Sequence, residues 1–142
     1  MWRICTAFSM AFLLALMPTA GRSAAPAGIK LSVVMAQVGT GHTGTLSWTL
    51  STDDTPANCA APSTCSQNIY RAPSSCSAVP LNLTKYASVL STAIGYVDLA
   101  PLFGNSCYAV SFIVNAVESS NSNTSGGSLS PAPPTGLTAT VK

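Results

Sequence analysis

Charge is what this sequence has least of. Only 7 % of its 142 residues are Asp, Glu, Lys or Arg, against roughly 25 % in an average soluble protein. Ser, Thr, Ala, Gly, Pro and Asn fill the difference, so the surface is polar without being ionic. The chain lacks the long Glu/Lys/Leu runs of a coiled coil. With no cluster of Lys or Arg it offers no electrostatic footprint for nucleic acid or anionic lipid. Histidine is nearly absent: His42 is the only one, in a Gly/Thr-rich stretch that reads as an exposed loop without a nucleophile motif beside it. No carboxylates are paired to flank a cleft as acid and base, and no Gly-rich phosphate loop follows a strand and opens a helix. Two cysteines at the close spacing of a zinc-ligand pair do not occur. Asp53-Asp54 reads as a solvated turn, because no acidic cluster accompanies it to hold calcium. These absences describe a protein that is not an enzyme and carries no cofactor or metal.

The long apolar run that does exist lies at the N-terminus. Residues 7–17 (AFSMAFLLALM) follow a short positive start at Arg3 and precede Pro18 and a series of small residues. The run is too short for a spanning helix of about 20 residues and has the order of an export signal. Residues 1–27 are therefore assigned as a signal peptide, with Ala25 and Ala27 as the small pair before cleavage. Its removal takes away Arg3 and Arg22, leaving Lys30, Arg71, Lys85 and Lys142 against Asp53, Asp54, Asp98 and Glu118. The mature charge is near zero. A secreted, periplasmic or cell-surface location follows, with no membrane insertion after cleavage.

Past the signal, the pattern is that of short strands divided by turns. Residues 29–38 (IKLSVVMAQV) are β-branched and apolar, and a turn-rich break follows at 39–44. In 45–51 (TLSWTLS), Leu46, Trp48 and Leu50 share one face while Thr and Ser hold the other, the alternation of a half-buried strand. Residues 52–65 read as a loop, 67–72 (QNIYRA) as a strand, 81–92 as one weaker edge strand and 94–99 (IGYVDL) as another. Residues 107–117 (CYAVSFIVNAV) place Tyr108, Val110, Phe112, Val114 and Ala116 on one wholly apolar face, as in a central sandwich strand. Residues 118–127 (ESSNSNTSGG) read as a flexible turn. No capped helix is expected after the signal. The whole is an all-β sandwich or barrel. The sequons at Asn82 and Asn123 are no more than a Ser/Thr/Asn-rich composition yields by chance.

The order of these strands and the residues they carry resemble a fibronectin type III domain of the kind found in bacterial exported or phage-associated proteins. The resemblance covers roughly residues 29–129. Leu46-Ser47-Trp48 looks like the second strand with its core tryptophan, and Asn68-Ile69-Tyr70-Arg71 like the third. Leu83-Thr84-Lys85 and Tyr96-Val97-Asp98 match the following edge strand and the fifth, and residues 108–117 match the sixth. One position departs from the family pattern. Val110 stands where a corner-closing tyrosine is usual, and Tyr108 lies two residues earlier, with Leu102 and Gly104 suited to a displaced corner. The resemblance implies an antiparallel immunoglobulin-like β-sandwich of about seven strands, with Trp48, Tyr70, Tyr108 and Phe112 in its core. Tyr86 and Phe103 are the aromatics left as candidates for surface binding.

Three pairings of Cys59, Cys65, Cys76 and Cys107 are formally open in an oxidising compartment. A small ring from Cys59 to Cys65 leaves Cys76, just past the third strand, for Cys107 at the start of the sixth. Because those strands are antiparallel neighbours in the resembled fold, the resemblance implies Cys59–Cys65 and Cys76–Cys107. The domain is expected over residues 28–130, followed by a Pro-rich tail, 131–142 (PAPPTGLTATVK), that resembles the opening strand of a further domain. Three readings of it stand open: the last strand of this domain, a tail ordered against this or another subunit, or a remnant of tandem modules. As an unpaired strand it would invite homo-assembly on a neighbour's sheet edge. The expected function is a non-catalytic exported module that binds or spaces protein partners. The alternatives are a glycan-binding or adhesion module, or a self-assembling surface or filament subunit.

Overall fold

The computed structural model describes residues 29–38 and 41–131. The expected signal (1–27) and the tail beyond Pro131 lie outside the described residues. The strands are β1 (Leu31–Val38), β2 (Gly41–Trp48), β3 (Cys65–Ala72), β4 (Thr84–Leu90), β5 (Gly95–Asp98), β6 (Gly104–Val114), β7 (Val117–Glu118) and β8 (Ser125–Leu129), with one helical turn, α1 (Pro56–Cys59). One sheet runs β1-β2-β5; the other runs β4-β3-β6, with β7 and β8 both on the far side of β6. All pairings are antiparallel, so the chain is an all-β sandwich.

Alternation along each strand sets its inner face. Leu46 and Trp48 of β2 are buried, and Ile29, just before β1, and Leu31 at its start lie with them. Ile69 of β3 and Tyr108, Val110 and Phe112 of β6 complete the core from the second sheet. Trp48, Tyr108 and Phe112 thus stand at core positions. Tyr70 does not. Gln67 and Ile69 take the inner face of β3, so Tyr70, one position on, is half-buried on the outer face. A buried polar residue holds the two sheets together: the Trp48 indole N–H donates to Gln67 Oε1 at 2.6 Å. The Gln67 amide in turn donates to the carbonyls of Leu90, Ser91 and Ala93. The β4–β5 turn is thereby fastened to the core, and a polar group that water cannot reach is satisfied.

Several local expectations change. The turn-rich break at 39–44 shrinks, because β2 begins at Gly41 and pairs in register back to Val38; His42 is a half-buried strand residue, not a loop residue. The loop at 52–65 contains α1, whose N-cap Thr55 accepts from the Asn58 amide and whose first helical position is Pro56, a start signal present in the sequence. The strand expected over 107–117 begins at Gly104 and stops at Val114. Asn115 (φ 49°) and Ala116 (φ 66°) turn left-handed there, so the chain reverses and Val117–Glu118 pairs back on β6. Two consecutive residues at positive φ are the signature of the tightest hairpin turn.

Residues 118–127 are not a free turn. The Ser119 and Ser122 amides donate to the Phe112 and Val110 carbonyls, and their hydroxyls accept from the Phe112 and Val110 amides. Side-chain oxygens complete the ladder where the backbone departs from it, so β7, this segment and β8 form one interrupted edge along β6. The Asn123 side chain does the same for β1, accepting from the Leu31 amide at 2.8 Å and donating to its carbonyl at 3.0 Å. Gly126 lets β8 approach: a Cβ there would stand 2.1 Å from the Ser106 carbonyl oxygen.

Two disulfides staple the sandwich. Cys59–Cys65 (Cα–Cα 5.4 Å) closes the loop from α1 to β3. Cys76–Cys107 (5.0 Å) ties the chain just after β3 to β6, where Ala72 and Cys107 are register partners. On chain entropy the longer loop contributes about 3 to 4 kcal/mol and the shorter about 2 kcal/mol.

Candidate functional site

Two polar constellations stand out, one sealed and one open. The sealed one is built on Asp98, at the inward-facing end of β5 and wholly buried. Its Oδ2 accepts from the Tyr108 hydroxyl and from Arg71 Nη1, each at 2.8 Å. Its Oδ1 accepts from the Tyr86 hydroxyl at 2.8 Å and the Ala100 amide at 2.9 Å. The Arg71 guanidinium lies 3.9 Å above the Tyr86 ring centre and also reaches the Ala100 carbonyl. A register shift makes this possible: Ile69 pairs with Ala87 and Tyr70 with Lys85. Tyr86 is thus the bulged residue, re-aimed toward Asp98.

Burial alone raises the Asp98 pKa, but the Ala100 amide, the two hydroxyls and Arg71 outweigh it and hold the carboxyl below its ordinary value. Burial and the adjacent carboxylate push the Tyr108 phenol well up. With two donors on each oxygen, Asp98 is an anchor for both sheets. The displaced corner expected near Leu102 and Gly104 is not where Tyr108 goes; its hydroxyl ends on Asp98.

The open constellation centres on Glu118 of β7, on the outer face of the second sheet. Its Oε1 accepts from Asn68 Nδ2 (3.0 Å), the Tyr70 hydroxyl (2.5 Å) and the Ser111 hydroxyl. Ser88 of β4 donates to Asn68 Oδ1 at 2.7 Å, so the polar chain crosses four strands. Burial alone raises the Glu118 pKa; the Ser111, Tyr70 and Asn68 donors and the charge of Lys85 bring it below its ordinary value. Beside this cluster lies a groove of about 370 Å³ lined by Tyr70, Leu83, Glu118, Ser119, Ser120 and Asn121.

Of the two surface aromatics, Tyr86 is half-buried and committed to Asp98. Phe103 is 60 % exposed, its ring edge-on to His42 at 4.8 Å. Among the described residues no three His, Cys, Asp or Glu side chains gather as a metal set, and no helix is long and apolar enough to cross a membrane. Sequence reasoning missed Asp98, Arg71 and Glu118 as a site. In a chain so poor in charge, an acid sharing the inner face of β5 with Tyr96 was the available signal.

No family profile matches the chain, and no curated protein matches it. Among solved structures it is similar to an Fn3-like protein from Clostridium thermocellum, with 28 % identity, 72 % of this chain and 92 % of that chain covered, and a TM-score of 0.51. Pectate lyase Pel3 from Pectobacterium carotovorum is also similar, at 20 % identity and a TM-score of 0.43, over 78 % of this chain and 30 % of that one. The two-sheet strand order and the first of these likenesses together make the fold of this chain fibronectin type III-like.

Proposed function

We propose that the chain is an exported, non-catalytic module that binds or spaces protein partners outside the cytoplasm. The observation that carries this reading is a fibronectin type III-like sandwich stapled by two disulfides, whose one fully buried carboxylate, Asp98, is spent on internal hydrogen bonds. Such staples persist in oxidising compartments, in keeping with the export signal expected over residues 1–27. Partner binding draws on the free edge of the second sheet. Among the described residues β4 pairs with β3 alone, and Leu90 at its end is 77 % exposed. The 131–142 tail, with strand-forming residues at its end, is the segment suited to add to such an edge in another copy.

Expression of the chain with its native N-terminus, followed by fractionation, N-terminal sequencing and thiol titration, tests the reading. The expected product is exported, shortened near Ala27 and free of reactive thiols until reduced. Retention in the cytoplasm with free thiols, or turnover of ester, peptide or glycoside substrates, would refute it. Sedimentation of a chain ending at Ser130 addresses the tail: assembly that is unchanged by the deletion excludes it as the pairing strand.

A further inference from the structure

We propose that the groove bounded by Tyr70, Leu83 and residues 118–121 binds a neutral, polyhydroxylated ligand, one or two sugar units of a glycan. This goes beyond spacing or attaching proteins and stands or falls separately from it. The volume, about 370 Å³, falls at the lower end of the range of small-ligand clefts, about 300–1,000 Å³. Its lining joins an aromatic ring and a leucine to a carboxylate, a carboxamide and two hydroxyls, the mixture that meets a sugar's apolar face and its hydroxyl rim.

The carboxylate is preorganised. All three described donors to Glu118 converge on Oε1, and two of them, Asn68 and Ser111, are themselves 3 % and 0 % exposed. Oε2 takes none of the described hydrogen bonds, nor does the Asn121 side chain, although both residues line the groove. Packing of the outer face accounts for Oε1 and leaves Oε2 and Asn121 with acceptor and donor capacity. A fixed acceptor at the wall of a polar cleft costs little to engage, because its ordering is already complete. Lys85, whose charge reaches Glu118, does not line the groove, so the ionised group in its wall is a carboxylate, which disfavours uronic acids and other anionic sugars.

The test is a neutral-glycan array followed by titration of the ¹⁵N-labelled protein with cellotetraose, chitotetraose and mannotetraose, with tetragalacturonate as the acidic comparison. The expected result is saturable shifts confined to the amides of residues 68–70, 83 and 118–121 with at least one neutral oligosaccharide. Asn121→Ala and Glu118→Gln should each weaken binding about tenfold. Asn121→Ala removes no described hydrogen bond and should keep the melting temperature, so its effect is read on a folded protein. The proposal is overturned by an array and titration without groove shifts up to about 20 mM, by binding that Asn121→Ala leaves unchanged, or by tetragalacturonate binding tighter than the neutral sugars.

Discussion

Asp98 shows how one side chain can govern a chain with almost no charge. Its two oxygens hold four donors from β3, β4, β6 and its own turn, and Arg71 with its side chain 17 % exposed is the ion-pair partner. Removing the charge leaves Arg71 and two phenols short of an acceptor inside the sandwich. Asp98→Ala should therefore cost about 3–5 kcal/mol, the range for breaking a buried pair from one side. Tyr108→Phe removes one bond to a charged group and should cost about 1.5–3 kcal/mol. Urea unfolding of the two variants checks both values, and an Asp98→Ala cost no larger than that of Tyr108→Phe would contradict the anchoring role.

The hairpin between β6 and β7 carries its own strain at the element scale. Asn115 tolerates the left-handed conformation, and its side chain accepts from the Thr64 amide. Ala116, at φ 66°, has no such compensation. An alanine in this region costs about 1–2 kcal/mol, and glycine gives back about 0.4–1 kcal/mol through its looser unfolded chain. Ala116→Gly should stabilise the domain by about 0.5–1 kcal/mol, seen as a rise of a few degrees in the thermal midpoint. A lower midpoint would show that the turn relaxes without glycine. The serines after this hairpin are structural for the same local reason: Ser119 and Ser122 supply acceptors where the edge strand leaves β6.

For the whole molecule, the carboxylates and Tyr108 set the pH range of stability from opposite sides. Asp98 and Glu118 have folded pKa values below their unfolded ones. Their contribution is present above an unfolded value of about 4 and disappears as the pH falls through the folded value. Tyr108 is shifted upward, so its contribution is present below about 10 and is lost as the pH climbs through the folded value. Thermal midpoints should be flat between about pH 5 and about pH 9 and fall on both sides. A maximum confined to the acid range would contradict this.

By itself the sequence determined the class of fold, because period-two alternation in 45–51 and the wholly apolar face of 107–117 leave few ways to bury Leu46, Trp48, Tyr108 and Phe112 except between two sheets. The four cysteines alone left three pairings open, and the resemblance to a fibronectin type III domain implied the two that form. Only the tertiary structure decided the faces of individual residues. Tyr70 moved to the outer face because Ile69 claimed the inner one, and Tyr86 was drawn from the surface to Asp98 by a bulge that no local pattern announces. Glu118 found Asn68, Tyr70 and Ser111 because Asn115 and Ala116 reversed the chain. Alternation along one strand reports which residues share a face. Which face is buried, and which polar groups meet across strands, depends on register, bulges and turn handedness, all fixed by contacts between residues far apart in the chain.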